Sequence, residues 1–123
     1  MPRVLIADDE ESMRTLVARA IAMDGHETVT AEDGAEALEI LSREDGAFDL
    51  LLTDIQMPVM DGIALALAAG RDHPDVAIML MTGFADQRER TRGLDALVHD
   101  VIAKPFSVEQ IKGAVREALV VRH

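Results

Sequence analysis

No cysteine occurs among the 123 residues, and neither does tryptophan or tyrosine. The first absence removes disulfides, thiolate metal sites and a cysteine nucleophile. The second, with only 3 phenylalanines, leaves the core to Leu, Ile, Val, Ala and Met, which dominate a hydrophobic content of 49%. Basic residues are scarce: 12 Lys and Arg against 23 Asp and Glu give a formal net charge of −11. Affinity for a phosphate backbone needs clustered cations, so nucleic-acid binding by this chain is not expected. No apolar run approaches transmembrane length, and Met1-Pro2-Arg3 leads straight into an apolar stretch rather than a signal peptide. The composition therefore predicts one cytoplasmic domain over residues 1–123 with no membrane association.

What is present is alternation. Arg3–Ala7, Leu50–Thr53 and Val76–Met81 are short, nearly unbroken apolar runs ending at turn signals, the pattern of strands buried on both faces. Glu27–Ala31 is β-branched but less apolar, as suits an edge strand, and Val98–Ala103 reads as the last strand. Helices are predicted between them. The first opens at Ser12 and closes at Asp24-Gly25, and the second starts at Asp33 with Glu36 as its capping-box partner. The third follows Gly62, with Leu65 expected on its outer face, and ends at Pro74. The fourth is capped by Asp86; its Gln87–Gly93 stretch has no apolar residue, so it should be short, exposed and weakly held. The fifth follows the box Ser107–Gln110. Five βα units predict an α/β protein, a doubly wound (βα)5 sheet of five parallel strands in the flavodoxin-like order 2-1-3-4-5.

In that order the crevice at the switch point lies outside the carboxyl ends of strands 1 and 3. Strand 1 ends at Asp8-Asp9, strand 3 at Asp54, strand 4 at Thr82 and strand 5 at Lys104. Three carboxylates cannot all stay ionised in one crevice without a cation, and an all-oxygen donor set selects a hard ion, Mg²⁺ foremost. Asp54 then remains as a nucleophile. A phosphoryl group on it would have three oxygens to neutralise, by Mg²⁺, Lys104 and the Thr82 hydroxyl with loop N–H groups. A cis bond between Lys104 and Pro105 is one way to aim the ammonium inward. Singly, each feature has a bland reading: Asp pairs cap helices, Lys-Pro makes turns, strand-end Thr satisfies backbone. Their coincidence at the ends of four of the five predicted strands favours a site.

The segments Leu5–Glu10 (LIADDE), Thr53–Gly62 (TDIQMPVMDG), Met81–Gly83 (MTG) and Lys104–Phe106 (KPF) resemble those of the receiver domain of two-component response regulators, over essentially the whole chain. The resemblance implies Asp54 as phosphoacceptor. It implies Asp9, Asp54 and the Gln56 backbone carbonyl as Mg²⁺ ligands, with Asp8 acting through water. Thr82 and Lys104 would contact the phosphoryl group. The donor would be a phosphohistidine on a sensor histidine kinase or phosphotransfer protein, and the protein would be no enzyme beyond its own phosphotransfer and autodephosphorylation. No output domain is expected, so the resemblance is to single-domain, CheY-like receivers, among them the alphaproteobacterial cell-cycle receivers of the CpdR type, which serve as protease adaptors. An output partner would bind the face of the fourth helix, fifth strand and fifth helix, to a monomer or weak dimer.

Two positions depart from the family pattern. Gly83 follows Thr82 where Ala is usual, and Val101 stands where Tyr or Phe usually forms the switch. Switching is therefore expected to involve Thr82, Gly83 and Val101, with Phe84 the large ring nearby. The alternative to a phosphorylation-driven switch is a protein-binding module that works without phosphorylation. A phosphatase would need a general acid or base beside Asp54, which Gln56 is not, and an FMN binder would need a phosphate loop where Asp8-Asp9 stands. His26, His73, His99 and His123 lie away from the acids, and surface positions are expected for most. Met79 and Met81 are expected in the core, and Arg88, Arg90 and Arg92 on a solvated face. Glu10 and Glu11 are expected to favour the first helix's N-terminus rather than to bind metal.

Overall fold

The computed structural model describes residues 2–83, 89–94 and 96–121. Five parallel strands form one sheet in the order β2-β1-β3-β4-β5: β1 (Arg3–Ala7), β2 (Glu27–Ala31), β3 (Leu50–Asp54), β4 (Ala77–Thr82) and β5 (Asp100–Ala103). The helices are α1 (Glu11–Ala22), α2 (Gly34–Arg43), α3 (Gly62–Asp72) and a C-terminal helix, Val108–Val121. The order is the flavodoxin-like one that the alternation predicts.

Successive strand residues point to opposite faces, and the core divides accordingly. Leu5, Ala7, Leu51, Ile78 and Leu80 pack with Ala37 and Leu41 of α2 and Leu65, Ala66 and Ala69 of α3. Val4, Ile6, Leu50, Leu52, Met79 and Met81 pack on the other face with Val17 and Ile21 of α1 and Ile111 and Val115 of the C-terminal helix. All of β3 is buried, whereas β2 and β5 at the edges are partly exposed. No helix among the described residues is long and apolar enough to cross a membrane.

Several expected boundaries and exposures are corrected. The strand expected from Val76 begins at Ala77, because the Val76 N–H donates to the His73 carbonyl at 3.1 Å and belongs to the turn. The strand expected from Val98 begins at Asp100, because the Val98 N–H is taken by the Leu94 carbonyl at 2.9 Å. Ser12 does not open α1; its hydroxyl donates to the Glu10 carboxylate at 2.9 Å, and Glu10 occupies the cap position. Leu65 is fully buried, and Leu67, 53% exposed, holds the outer position instead. At 100° per residue Leu65, Ala66 and Ala69 share one stripe, which faces sheet and α2 together, and Leu67 falls opposite. His26 and His73 are half-buried, not surface groups: both ring nitrogens of His26 and Nε2 of His73 are buried without a hydrogen-bond partner among the described residues. His123 lies outside the described residues, as do Arg88 and the expected cap Asp86.

The capping signals behave as physics requires. The Asp33 carboxylate accepts the Glu36 N–H at 2.8 Å, while the Glu36 carboxylate reaches back to the Glu32 N–H, not to that of Asp33. Ser107 and Gln110 form the reciprocal box, at 3.0 and 2.7 Å.

Candidate phosphoryl and metal site

The β1 and β3 strands run side by side, with Ala7 opposite Thr53. Asp8 and Asp54 therefore emerge together, one residue past each partner. Carboxylate oxygens of Asp8, Asp9 and Asp54 lie within 4.8 Å of one another. Asp8 and Asp54 are buried and Asp9 is exposed, so the cluster has a dry floor and an open mouth. An all-oxygen set of this size fits a hard divalent cation such as Mg²⁺.

The main chain of Asp8 is fixed on every side. Its N–H donates to the Ala31 carbonyl of β2 at 3.2 Å. Its side chain accepts the Glu10 N–H at 3.0 Å. Its carbonyl accepts from Arg14 Nη1 at 2.7 Å. Beyond Asp54 the loop turns through Met57 and Pro58, and Val59 takes φ 68°, a left-handed conformation that is unusual for a β-branched residue. The Gly62 N–H returns to the Ile55 carbonyl at 2.7 Å, closing the loop on the end of β3. Gln56 is exposed within that loop.

Lys104 enters from the other side. Its Nζ stands 3.0 Å from Asp54 Oδ1 and 3.3 Å from Asp8 Oδ2. Its own N–H donates to the Thr82 carbonyl at 2.7 Å, which ties the position to the end of β4. The Lys104–Pro105 peptide bond is cis. Burial pushes the Asp54 carboxyl above the ordinary Asp value; Lys104 pulls it back only in part, and Asp8 adds to the rise. Burial pulls the Lys104 ammonium down, but Asp54 and Asp8 outweigh it and hold it above the ordinary Lys value. The result is an ammonium held in its charged form beside a carboxylate whose charge burial disfavours.

The structure thus brings Asp8, Asp9, Asp54 and Lys104 together, with buried Thr82 at the adjacent strand end and Gly83 exposed beyond it. Val101 sits opposite Leu80 in the β4–β5 register and packs half-buried against the core of the α2–α3 face. Phe84 lies outside the described residues. Sequence reasoning did not single out Arg14. The available signal was a basic residue in the first helix, five positions past Asp9.

The comparisons with known proteins agree with one another. A model of the response regulator receiver domain matches residues 4–116. The response regulator receiver protein CpdR of Brucella abortus (strain 2308) is 37% identical over 120 residues, 98% of each chain. A probable transcriptional regulator, ycf27 of Guillardia theta, is 36% identical over 95% of this chain but only 45% of its own. The chain spans about half the length of several curated relatives, the ycf27 and MprA proteins among them. Among solved structures, the response regulator TrrA of Thermotoga maritima in complex with Mg(2+)-BeF superposes with a TM-score of 0.84 at 30% identity, covering 97% of this chain and 100% of that one. The chemotaxis response regulator CheY4 of Vibrio cholerae gives the same TM-score at 28% identity, over 97% and 99% of the two chains. A family model that covers nearly the whole chain, set on three clustered carboxylates and a lysine at the carboxyl edge of a 2-1-3-4-5 sheet, places this protein in the response regulator receiver family.

Proposed function

We propose that the protein is a phosphorylation-driven signalling switch in which Asp54 accepts a phosphoryl group from a phosphohistidine of a sensor histidine kinase or phosphotransfer protein. The observation that carries the reading is Lys104 Nζ at 3.0 Å from Asp54 Oδ1, beside a carboxylate cluster that spans 4.8 Å. An Asp54 oxygen attacks phosphorus, the P–N bond to the donor imidazole breaks, and the nitrogen keeps that electron pair. The product is an acyl phosphate on Asp54. Asp9, Asp54 and the Gln56 carbonyl would hold Mg²⁺, with Asp8 acting through a water. The bound ion supplies charge neutralisation to the transferring phosphoryl oxygens. Lys104 neutralises another oxygen, and the Thr82 hydroxyl donates to the remaining one. Mg(2+)-BeF bound to the Thermotoga relative supports the same chemistry here.

The output face in this reading is that of the expected fourth helix, β5 and the C-terminal helix, on a monomer or weak dimer. Thr82 and Lys104 border it directly, so a change at Asp54 reaches it through one strand end. The test is a small-molecule phosphodonor with Mg²⁺. One acid-stable, alkali-labile phosphoryl group should appear, and Asp54→Asn should abolish it. Equal labelling of the variant would overturn the assignment.

A further inference from the structure

The geometry points to Arg14 as a positioning residue for the metal ligands: its guanidinium fixes the peptide that joins Asp8 to Asp9, and so the directions of both carboxylates. The inference rests on the metal-site reading above. The Asp8 carbonyl belongs to the peptide unit whose nitrogen is that of Asp9. Holding that oxygen fixes a rigid plane from which one acid departs at each end. Arg14 Nη1 holds it at 2.7 Å.

The arm that does this is not a loose surface chain. The Arg14 side chain is 13% exposed, and its Nη2 lies 3.7 Å from the Glu32 carboxylate just past β2. The Arg14 N–H donates to the Glu10 carbonyl at 3.0 Å, inside the first turn of α1. The guanidinium thus clamps the ends of β1 and β2 from the helix that follows the acids. A charged donor on a neutral carbonyl makes one of the stronger classes of hydrogen bond, and the planar fork allows the second contact. Asp9 needs such help most. It is exposed, whereas Asp8 is buried against Lys104.

Two effects compete. The positive charge of Arg14 opposes a nearby cation, and the ordering of Asp8–Asp9 favours it. Glu32 offsets part of the charge, and the guanidinium is turned to the peptide oxygen rather than to the carboxylates. Ordering therefore wins, as it does where residues that orient metal ligands are removed and affinity falls about ten-fold or more.

The experiment titrates Mg²⁺ into wild type and Arg14→Gln by calorimetry, and measures labelling from a small phosphodonor across Mg²⁺ concentration. The expected result is a Kd for Mg²⁺ raised about ten-fold, with the labelling rate at saturating Mg²⁺ within about two-fold of wild type. A merely structural role would lower the metal-free melting temperature and leave the Kd alone. Should Arg14→Gln fail to fold, Arg14→Lys keeps the charge and one donor but not the fork, and a smaller rise in Kd is expected. An unchanged or lowered Kd in the folded variant overturns the inference. A wild-type chain that binds no Mg²⁺ overturns the metal-site reading as well.

Discussion

Gly62 lies so close to Asp54 that a β-carbon on it would collide with the Asp54 carbonyl oxygen and stand 2.9 Å from the Ile55 Cα. The colliding atoms are backbone, which cannot swing aside. In an exposed helix, replacing Gly by Ala gains about 1 kcal/mol. Here overpacking should reverse the sign, and Gly62→Ala is expected to destabilise the protein by about 1–3 kcal/mol. It should also displace the end of β3, lowering the rate of Asp54 phosphorylation. Chemical denaturation and phosphodonor labelling of the same variant check both.

Lys104 touches Asp54 and Asp8 at 3.0 and 3.3 Å, so it already neutralises part of the acid cluster. Mg²⁺ should add to that by mass action, raising stability by about 2.7 kcal/mol at a hundred times its Kd. Asp9→Ala should remove most of this gain and lower Mg²⁺ affinity sharply. Thermal melting with and without Mg²⁺ measures the response, and an Asp9→Ala protein that keeps full affinity would exclude the ligand role.

Asp61 caps α3, accepting the Ala64 N–H at 2.8 Å and Arg90 Nη2 at 2.6 Å. Burial pushes its carboxyl up, but the Ala64 N–H and Arg90 outweigh this and leave it below the ordinary Asp value. A depressed carboxyl gives stability that is present above its unfolded pKa and lost as pH falls through the folded one. Asp61→Asn keeps a good cap but loses the ion pair. The difference from wild type is expected to be about 0.5–1 kcal/mol at neutral pH, weaker in high salt, and to vanish below the ordinary Asp range. Denaturation curves across pH give the comparison directly.

Arg90 also joins the β4–β5 connection to the cap of α3, and Leu94 and Leu97 pack onto the core beyond Gly93. Among the described residues the connection is thus anchored by Arg90 and, at its far end, by Leu94 and Leu97. With Val101 half-buried and too small to act as a ring, a change at Thr82 should travel along this connection. Hydrogen exchange with and without beryllofluoride is expected to differ most between Gly83 and Leu97, and less at Val101. A change centred on β5 alone would exclude that route.

The sequence by itself determined the order of the described elements, the sheet order and the strand ends that carry Asp8, Asp9, Asp54, Thr82 and Lys104, because period-two burial and turn residues are local signals, while most of the expected fourth helix lies outside the described residues. Capping at Asp33 and Ser107 was legible for the same reason. Where a strand starts was not. Val76 and Val98 are as apolar as their neighbours, and only the hydrogen bonds to His73 and Leu94 assign them to turns. The burial of Leu65 depended on α2 lying beside α3, which no single-helix pattern contains. The half-burial of His73 likewise comes from a neighbour distant in sequence, Gly46, on which a β-carbon would stand 2.8 Å from the His73 Nδ1. Above all, the contacts of Lys104 with Asp54 and Asp8 span 50 and 96 residues, and that of Arg14 with Asp8 depends on the turn between strand and helix. Such distances are set by how strands register and how helices pack. The chemistry of the site was written in residue types, and its geometry only in the folded chain.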